Sequence, residues 1–255
     1  MITAIDHVVI LAPKLEAATR YYQSLGFDVR AGGRHSTGTE NALIGLADGT
    51  YIELLAFATP DPSHRWAPKL EFGGGFLDVC LVSDDIGGDV ARYLDGGIEM
   101  APIRAMGRQR PDGKELSWRL TIPKAPWAGQ MPFLIEDVSP NEWRVPPAGK
   151  HSNGASGIAA LRWIVADHAA LSELLSRTLG KGAEPTVNDT YNAAGSRIEL
   201  GATRIEILSP SGDGPAADWL AVQNGGPHSM AFRTSDGREI EHGPAAARSW
   251  TDWPQ

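Results

Sequence analysis

Two stretches of the sequence place histidine and carboxylate side chains in matching positions. The first stretch opens with AIDHVVI and carries His7, and the second opens with GFLDVCL and carries Asp78 at the equivalent point. Each stretch closes on a strand pattern that contains a glutamate, Glu53 in YIELL and Glu136 in FLIE. Histidine and carboxylate groups can hold a divalent metal or transfer a proton. Two such halves packed face to face could bring all four side chains to one place.

The elements that would position these residues repeat along the chain, and such repeats decide the architecture. Each half has an opening strand pattern, an amphipathic helix and three further strand patterns. The first helix pattern, 14–25, places Leu15, Ala18, Tyr22 and Leu25 on one stripe, and Gly26 ends it. The second helix pattern covers 86–94. The predicted strands are 4–12, 27–31, 41–47, 50–57, 76–83, 103–107, 115–122 and 132–138.

The rest of the chain continues the repeat less completely. Residues 139–157 are rich in Pro, Gly, Ser and Asn and predict a linker. A third unit within 158–255 has the same order of patterns and a closing strand with Glu206, and a truncated fourth unit follows it. No matching pair of histidine and acid accompanies Glu206. We therefore expect the C-terminal half to bury core rather than to hold a second metal.

Composition narrows the classes of function. The net charge of -8 argues against a general nucleic-acid binder, whose affinity comes from clustered cations. A single cysteine, Cys80, excludes a disulfide framework and a thiolate metal site. No run approaches the roughly 20 apolar residues of a membrane span. These features predict a cytoplasmic protein whose partners include neither nucleic acid nor a membrane. A homodimer formed through the incomplete fourth unit is an open alternative.

Four segments carry a resemblance to a known family: IDHVVILAP at 5–13, GGRHSTGTENALIGLADGTYIELLAF at 32–57, GRQRPDGKELSWR at 107–119 and PFLIE at 132–136. They resemble the vicinal oxygen chelate superfamily and, within it, the glyoxalase-like domain proteins. The likeness covers most of residues 1–138, and from 158 onward only the rhythm of the repeat matches. It implies an α+β fold of about three and a half repeated βαβββ modules, with curved mixed sheets that form a cup around a divalent metal.

The resemblance also implies a set of metal ligands. In metal-dependent members the ligands come from the first and last strands of each module, which correspond here to His7, Glu53, Asp78 and Glu136. Asp78 departs from the family, in which many members have histidine. One histidine with two or three carboxylates suits Mn, Fe, Co, Ni, Zn or Mg. We expect His7 and Glu136 with at least one of the other two, although a register shift of one residue would turn Glu136 away from the cup.

Basic and aromatic residues are predicted to surround the cup. Guanidinium groups form bidentate hydrogen bonds with carboxylate or phosphate, so arginines at the rim would suit a small anionic substrate. The alternative is that these arginines lie on solvated strand faces and pair with nearby acids such as Glu136. The candidate substrate-binding residues are Arg34, His35, Arg108, Arg110, Trp118 and Arg119.

Three functions remain open at the level of sequence. The first is a glyoxalase-like isomerase, lyase or hydrolase, in which a metal stabilises an enolate, Glu136 or Glu53 shuttles the proton, and Arg110 or Arg119 holds the anionic end of the substrate. The second is a metal-free protein that sequesters a planar molecule against Trp118 or Trp66. The third is an extradiol-type dioxygenase, which needs Fe(II) and usually two histidines with one carboxylate, whereas only His7 occupies a matching position.

Overall fold

A computed structural model of the chain describes residues 1–35, 38–64, 66–71, 73–109, 113–223 and 225–243. Within these residues the fold is mixed α+β, and the order strand, helix, three strands recurs along the chain. The predicted fold class of repeated βαβββ modules is therefore confirmed. The predicted boundaries of the domains, with a linker at 139–157, stay a prediction, and residues 244–255 lie outside the described part.

The strands and helices of the first half follow the predicted patterns, except that β2 begins three residues later than predicted. The first module consists of β1 (Ile2–Leu11), α1 (Leu15–Ser24), β2 (Arg30–Arg34), β3 (Thr39–Gly45) and β4 (Tyr51–Phe57). A short helix that the sequence analysis did not predict follows, α2 (Ala67–Glu71). The second module consists of β5 (Gly75–Ser83), α3 (Ile86–Asp95), β6 (Arg104–Gln109), β7 (Glu115–Thr121) and β8 (Phe133–Asp137).

The second half contains the third module and the start of a fourth. A short helix, α4 (Asn141–Arg144), precedes it. The third module consists of β9 (Ala155–Ile164), α5 (His168–Leu179), β10 (Ala183–Asn188), β11 (Ala193–Leu200) and β12 (Thr203–Pro210). The chain continues with α6 (Pro215–Gln223), β13 (Gly226–Thr234) and β14 (Glu239–His242). Helices α4 and α6 and strand β14 were not predicted.

Two sheets contain these strands. The hydrogen-bonded order is β2-β3-β4-β1-β5-β8-β7-β6 in an eight-stranded sheet and β10-β11-β12-β9-β13-β14 in a six-stranded sheet. In the first module β4 returns beside β1 as a parallel neighbour, and in the third module β12 returns beside β9 in the same way. The opening strand of each of these modules therefore lies next to the strand that carries its glutamate.

The chain divides into two compact units. One contains residues 1–6, 78–144 and 159–228, and the other contains 7–77, 145–158 and the described chain from residue 229. In the second of these units, Ala18 and Tyr22 of α1 are fully buried, as their stripe predicts. Leu25 of the same stripe is 38% exposed, because the helix ends at Ser24 and the chain turns away at Gly26, which has a φ of +87°.

The other unit contains a buried cluster of charges. Arg144 of α4 donates to both carboxylate oxygens of Asp6, at 3.0 and 2.6 Å. It also donates to both oxygens of Asp137, at 2.6 and 2.9 Å. Buried charges are tolerated when they are paired and hydrogen-bonded in this way. Arg144 therefore attaches the polar segment after β8 to Asp6 of β1 and Asp137 of β8.

Cys80 of β5 is a buried free thiol. In the part of the chain that the structure describes, no helix has both the length and the apolar character needed to cross a membrane.

Candidate functional site

The parallel pair of β1 and β4 brings His7 and Glu53 together. Its register aligns His7 with Tyr51 and Val9 with Glu53, and side chains of aligned residues point to the same face of a sheet. The His7 imidazole stacks on the Tyr51 ring with a centroid distance of 4.5 Å. Its Nε2 atom lies 3.7 Å from Oε2 of Glu53. The side chains of His7 and Glu53 are 6% and 15% exposed, so both are largely withdrawn from water.

Asn41 of β3 holds the other oxygen of this carboxylate. Its Nδ2 donates to Oε1 of Glu53 at 2.6 Å. Its Oδ1 accepts from the backbone N–H of Gly33 at 2.8 Å, which identifies that atom as the oxygen of the amide, because a backbone N–H can only donate. The amide thereby fixes both the position of Glu53 and the distance between β2 and β3.

An irregularity in the β2–β3 ladder lets Asn41 approach so closely. The register shifts between Ala31 and Arg34, as in a β-bulge. A Cβ atom at Gly32 would lie 2.0 Å from Oδ1 of Asn41, so a side chain at Gly32 would clash with the amide. Bulges of this kind redirect side chains near functional sites. Here the bulge directly precedes His35.

His35 faces the same carboxylate from the end of β2. Its Nε2 lies 3.7 Å from Oε1 of Glu53 and 3.3 Å from Nδ2 of Asn41. Its Nδ1 lies 2.8 Å from Oγ1 of Thr39, and its backbone N–H donates to the Thr39 carbonyl at 2.7 Å. The backbone N–H of Gly38, which has a φ of +86°, donates to the His35 carbonyl at 3.1 Å. Glu53 therefore lies between two imidazoles.

Glu53 has an unusual charge environment for a carboxylate with so little exposure. Among the described residues its contacts are the amide of Asn41 and the imidazoles of His7 and His35; no lysine or arginine side chain pairs with it there. A carboxylate withdrawn from water needs a compensating charge or hydrogen-bond donors. Two imidazoles and one carboxylate are also a donor set that divalent metals accept. The residues present thus fit a bound cation.

Aromatic side chains lie further along β4 in the same unit. Phe57 shares a strand face with Tyr51 and Glu53, because it is four residues from Glu53. The His64 ring lies 4.9 Å from the Phe57 ring and 5.0 Å from the Trp66 ring. These three rings, the 57–66 aromatic cluster, extend one face of β4 with an apolar surface.

In the other unit, Asp78 and Glu136 occupy opposite faces of neighbouring strands. The parallel β5–β8 register aligns Cys80 with Phe133 and Val82 with Ile135. Asp78 therefore shares a face with Ile135, whereas its neighbour Glu136 points the other way. The register thus places these two predicted ligands on opposite faces of the sheet. Their roles in a metal site stay a prediction.

Glu136 has partners of its own on that face. It forms an ion pair with Arg119, its aligned neighbour on β7, and one carboxylate oxygen lies 3.4 Å from the backbone N–H of Ile86 at the start of α3. Trp118 aligns with Asp137 and therefore lies on the opposite face from Arg119. The side chain of Arg119 is 47% exposed. The substrate-binding roles of Arg119 and Trp118 stay predictions.

The remaining candidate arginines are Arg34, Arg108 and Arg110. The side chain of Arg34 is 78% exposed and lies 3.5 Å from Glu40, its aligned neighbour on β3. The backbone of Arg108 pairs with Leu116. Arg110 lies outside the described residues. The substrate-binding roles of Arg34, Arg108 and Arg110 remain predictions.

The third module offers a direct counterpart of Glu53. Its glutamate, Glu206, aligns with Arg162 as Glu53 aligns with Val9. Arg162 donates to Glu206 at 2.7 Å and Arg204 donates to it at 2.8 Å. Burial would raise the pKa of Glu206, but the two guanidinium groups outweigh it and lower the pKa overall. The charge of Glu206 is therefore already compensated by Arg162 and Arg204.

Sequence reasoning assigned no role to Asn41, Thr39 or Tyr51. The signal for the first two was the Gly-Gly pair inside a strand pattern, which is typical of a bulge and of a close approach by another group. The sequence alone does not reveal that the bulge turns His35 toward Glu53, since this depends on the register of three strands.

Comparisons with known proteins agree with this architecture. A family model described as a glyoxalase-like domain matches residues 5–179. The crystal structure of a hypothetical protein from Staphylococcus aureus is 17% identical over 81% of this chain and 86% of its own, with a TM-score of 0.62. A mutant of 4-hydroxymandelate synthase from Streptomyces coelicolor is 14% identical over 99% of this chain and 75% of its own, with a TM-score of 0.66.

A further solved structure covers a smaller part of the chain. Methylmalonyl-CoA epimerase from Mycobacterium tuberculosis is 22% identical over 56% of this chain and 93% of its own, with a TM-score of 0.42. A search of curated proteins finds no match to the sequence. At such low identities, the likeness to the Staphylococcus and 4-hydroxymandelate synthase structures supports the fold.

Proposed function

Because the chain belongs to the glyoxalase-like domain family, within the vicinal oxygen chelate superfamily, we propose that it is a divalent-metal-dependent enzyme. The substrate would be a small anionic molecule with two adjacent oxygens, and the reaction an isomerisation, elimination or hydrolysis through an enolate. The observation that carries the proposal is Glu53, a largely buried carboxylate between the imidazoles of His7 and His35. No cationic side chain among the described residues occupies that position.

The residues around Glu53 would have separate roles in this reaction. His7 and Glu53 would hold the metal, which supplies a Lewis acid for the negative charge that develops on the substrate oxygens. The stacked Tyr51 ring keeps His7 in place, and Asn41 keeps one oxygen of Glu53 directed into the site. Glu53 is the stronger candidate for proton transfer, since the other candidate, Glu136, is ion-paired with Arg119.

The proposal is tested by metal analysis of protein purified without chelator. We expect about one equivalent of a divalent metal, and its loss in His7→Ala and Glu53→Gln. Glu40→Gln is the matched control, because Glu40 lies on β3 in the same module and pairs with exposed Arg34 instead. Absence of bound metal in the wild type, even after reconstitution with Mn, Fe, Co, Ni and Zn under argon, would overturn the proposal.

A metal-free binding protein is the second candidate. The 57–66 aromatic cluster favours it, because its edge-to-face and tilted rings offer an apolar surface to a planar ligand. In that case a Trp66→Ala variant loses affinity for planar ligands, whereas His7→Ala weakens binding only modestly. Fluorescence titration with a panel of planar anionic compounds separates this function from the metal-dependent one.

An Fe(II)-dependent dioxygenase is the third candidate. It needs two histidines and one carboxylate, and the observation that favours it is the position of His35, whose Nε2 lies 3.7 Å from the same carboxylate that His7 contacts. Oxygen consumption by protein reconstituted with Fe(II), measured with catechols and 2-oxo acids, tests this reading.

A further inference from the structure

We propose that His35 is a metal ligand and that His7, Glu53 and His35 form a complete two-histidine, one-carboxylate site within the first module. This inference rests on the proposed function, because it names the ligands of the same centre. It differs from the ligand set that the family resemblance implies, which takes residues from two modules. His35 lies at the end of β2, a strand that contributes no ligand to that set.

The arrangement around Glu53 is the first step of the argument. Nε2 of His7 lies 3.7 Å from Oε2, and Nε2 of His35 lies 3.7 Å from Oε1. Metal–nitrogen and metal–oxygen bonds of roughly 2.0–2.2 Å place neighbouring ligand atoms about 3 Å apart. Each imidazole therefore needs to move less than about 1 Å toward the carboxylate oxygen that it faces. Because the ligand atoms of these three described residues do not all lie within 4.8 Å of one another, the two imidazoles must also turn toward each other to share one ion. A rotation of the partly exposed His35 ring can supply such a movement.

The tautomer of His35 is the second step. Asn41 is oriented by the backbone N–H of Gly33, so its Nδ2 is a donor and the His35 Nε2 that it approaches must be the acceptor. A neutral imidazole then carries its proton on Nδ1, where Thr39 Oγ1 accepts it at 2.8 Å. Metal-bound histidines typically donate their other ring N–H to such a partner. His35 thus presents an unprotonated Nε2 toward Glu53.

The local backbone is the third step, because it is built around this histidine. The bulge in β2 requires Gly32 at the close approach of Asn41, and Gly38, which has a positive φ, donates its backbone N–H to the His35 carbonyl. Together they return the chain so that the Thr39 carbonyl accepts from the His35 backbone N–H. A solvated surface histidine needs none of these features. Two imidazoles and one carboxylate leave open coordination positions and suit Fe(II), with Mn, Co, Ni and Zn as alternatives.

The test is the affinity of the metal-free protein for Co²⁺, followed by calorimetry and by the visible absorption of the bound ion. We expect His35→Gln to weaken binding by at least about 100-fold, and Thr39→Val to weaken it by roughly 10-fold through loss of the Nδ1 partner. His168→Gln, at the start of α5 in the other unit, is the matched control and should bind like the wild type. Circular dichroism checks that each variant is folded.

The outcomes separate this inference from the proposed function. If Co²⁺ binds to the wild type, is lost in His7→Ala and is unchanged in both His35→Gln and Thr39→Val, the role of His35 is overturned and the metal-dependent function stands. If Asp78→Asn weakens binding as much as His7→Ala does, the one-module site is overturned in favour of ligands from two modules. If Co²⁺ does not bind to the wild type, the proposed function itself fails.

Discussion

The first and third modules place a glutamate at the same point of the same strand pair, yet they surround it with different chemistry. In the third module, Arg162 takes the position that Val9 has in the first, and Arg204 takes that of Tyr51. Ala160 then stands where the first module has His7. Glu206 is neutralised by two permanent cations, whereas Glu53 meets two imidazoles.

This difference explains how a repeated fold can leave one glutamate able to bind a metal and neutralise another. We call the surroundings of Glu53 the open site and those of Glu206, with Arg162 and Arg204, the closed site. A guanidinium cannot lose its proton at ordinary pH, so a buried Arg–Glu pair is a permanent structural link. A neutral imidazole has a lone pair and leaves the carboxylate in need of a cation. The backbone register is shared, and the identities of the residues aligned around the glutamate decide between an ion pair and a candidate metal site.

The largest expected effect is on the free energy of unfolding, when one arginine of the closed site is removed. Arg162→Met leaves Glu206 buried with only Arg204, and we expect a loss of about 3 kcal/mol in the free energy of unfolding. Glu53→Gln, in metal-free protein, removes a carboxylate that lacks a permanent cation, so its cost should stay below about 1 kcal/mol. Urea unfolding at neutral pH measures both. Equal losses in the two variants would contradict the distinction between the modules.

A second prediction converts the open site into the closed type. Tyr51→Arg places a guanidinium beside Glu53, as Arg204 stands beside Glu206, and should weaken Co²⁺ binding by at least about 100-fold, or about 2.7 kcal/mol. Tyr51→Phe keeps the ring that stacks on His7 and should bind nearly as the wild type does. Calorimetric titration of the three proteins checks this. Undiminished binding in Tyr51→Arg would mean that the metal lies elsewhere.

The third prediction concerns acid, to which the third module should be sensitive. His228 lies between the rings of Tyr191 and Trp219, and burial together with Arg162 lowers its pKa to about 3. Because the unfolded chain binds this proton near pH 6.5 and the folded chain does not, stability is full above pH 6.5 and falls as the pH decreases toward 3.

The measurement is the slope of unfolding free energy against pH between 6 and 4. We expect His228→Phe, which keeps a ring between Tyr191 and Trp219, to reduce that slope by about 1.4 kcal/mol per pH unit. A slope that is unchanged in His228→Phe would show that His228 is protonated in the folded state.

The sequence predicted the modules well because a buried strand and an amphipathic helix leave regular patterns of apolar residues. It also placed His7 and Glu53 on matching strands, and the parallel β1–β4 register brings them into contact. It could not fix the face of Glu136, since a shift of one residue reverses every side chain of a strand. Short elements such as α4 were missed because four residues carry no periodicity.

The position of His35 also could not be predicted from the sequence. Its residue type and the preceding glycines were visible, and the sequence analysis placed it among substrate-binding residues. Its contact with Glu53 depends on a bulge, a turn at Gly38 and the amide of Asn41, which lies two strands from β1. Such a position results from tertiary register rather than from local pattern. Sites built on irregular backbone are therefore the part of a fold that sequence periodicity predicts least.

The smallest predicted effect compares two asparagines that donate to the two glutamates. Asn41 donates to Glu53 at 2.6 Å, and Asn188 donates to Glu206 at 3.3 Å. Asn41→Ala should weaken Co²⁺ binding by about 10-fold, since a partner that orients a ligand is worth roughly 10–100-fold in metal affinity. Asn188→Ala should leave both metal affinity and stability nearly unchanged, because two guanidinium groups already hold Glu206. If both variants bind Co²⁺ as the wild type does, the amide of Asn41 does not contribute to metal binding at the open site. The presence of Arg162 and Arg204 beside Glu206 alone would then account for the difference between the two sites.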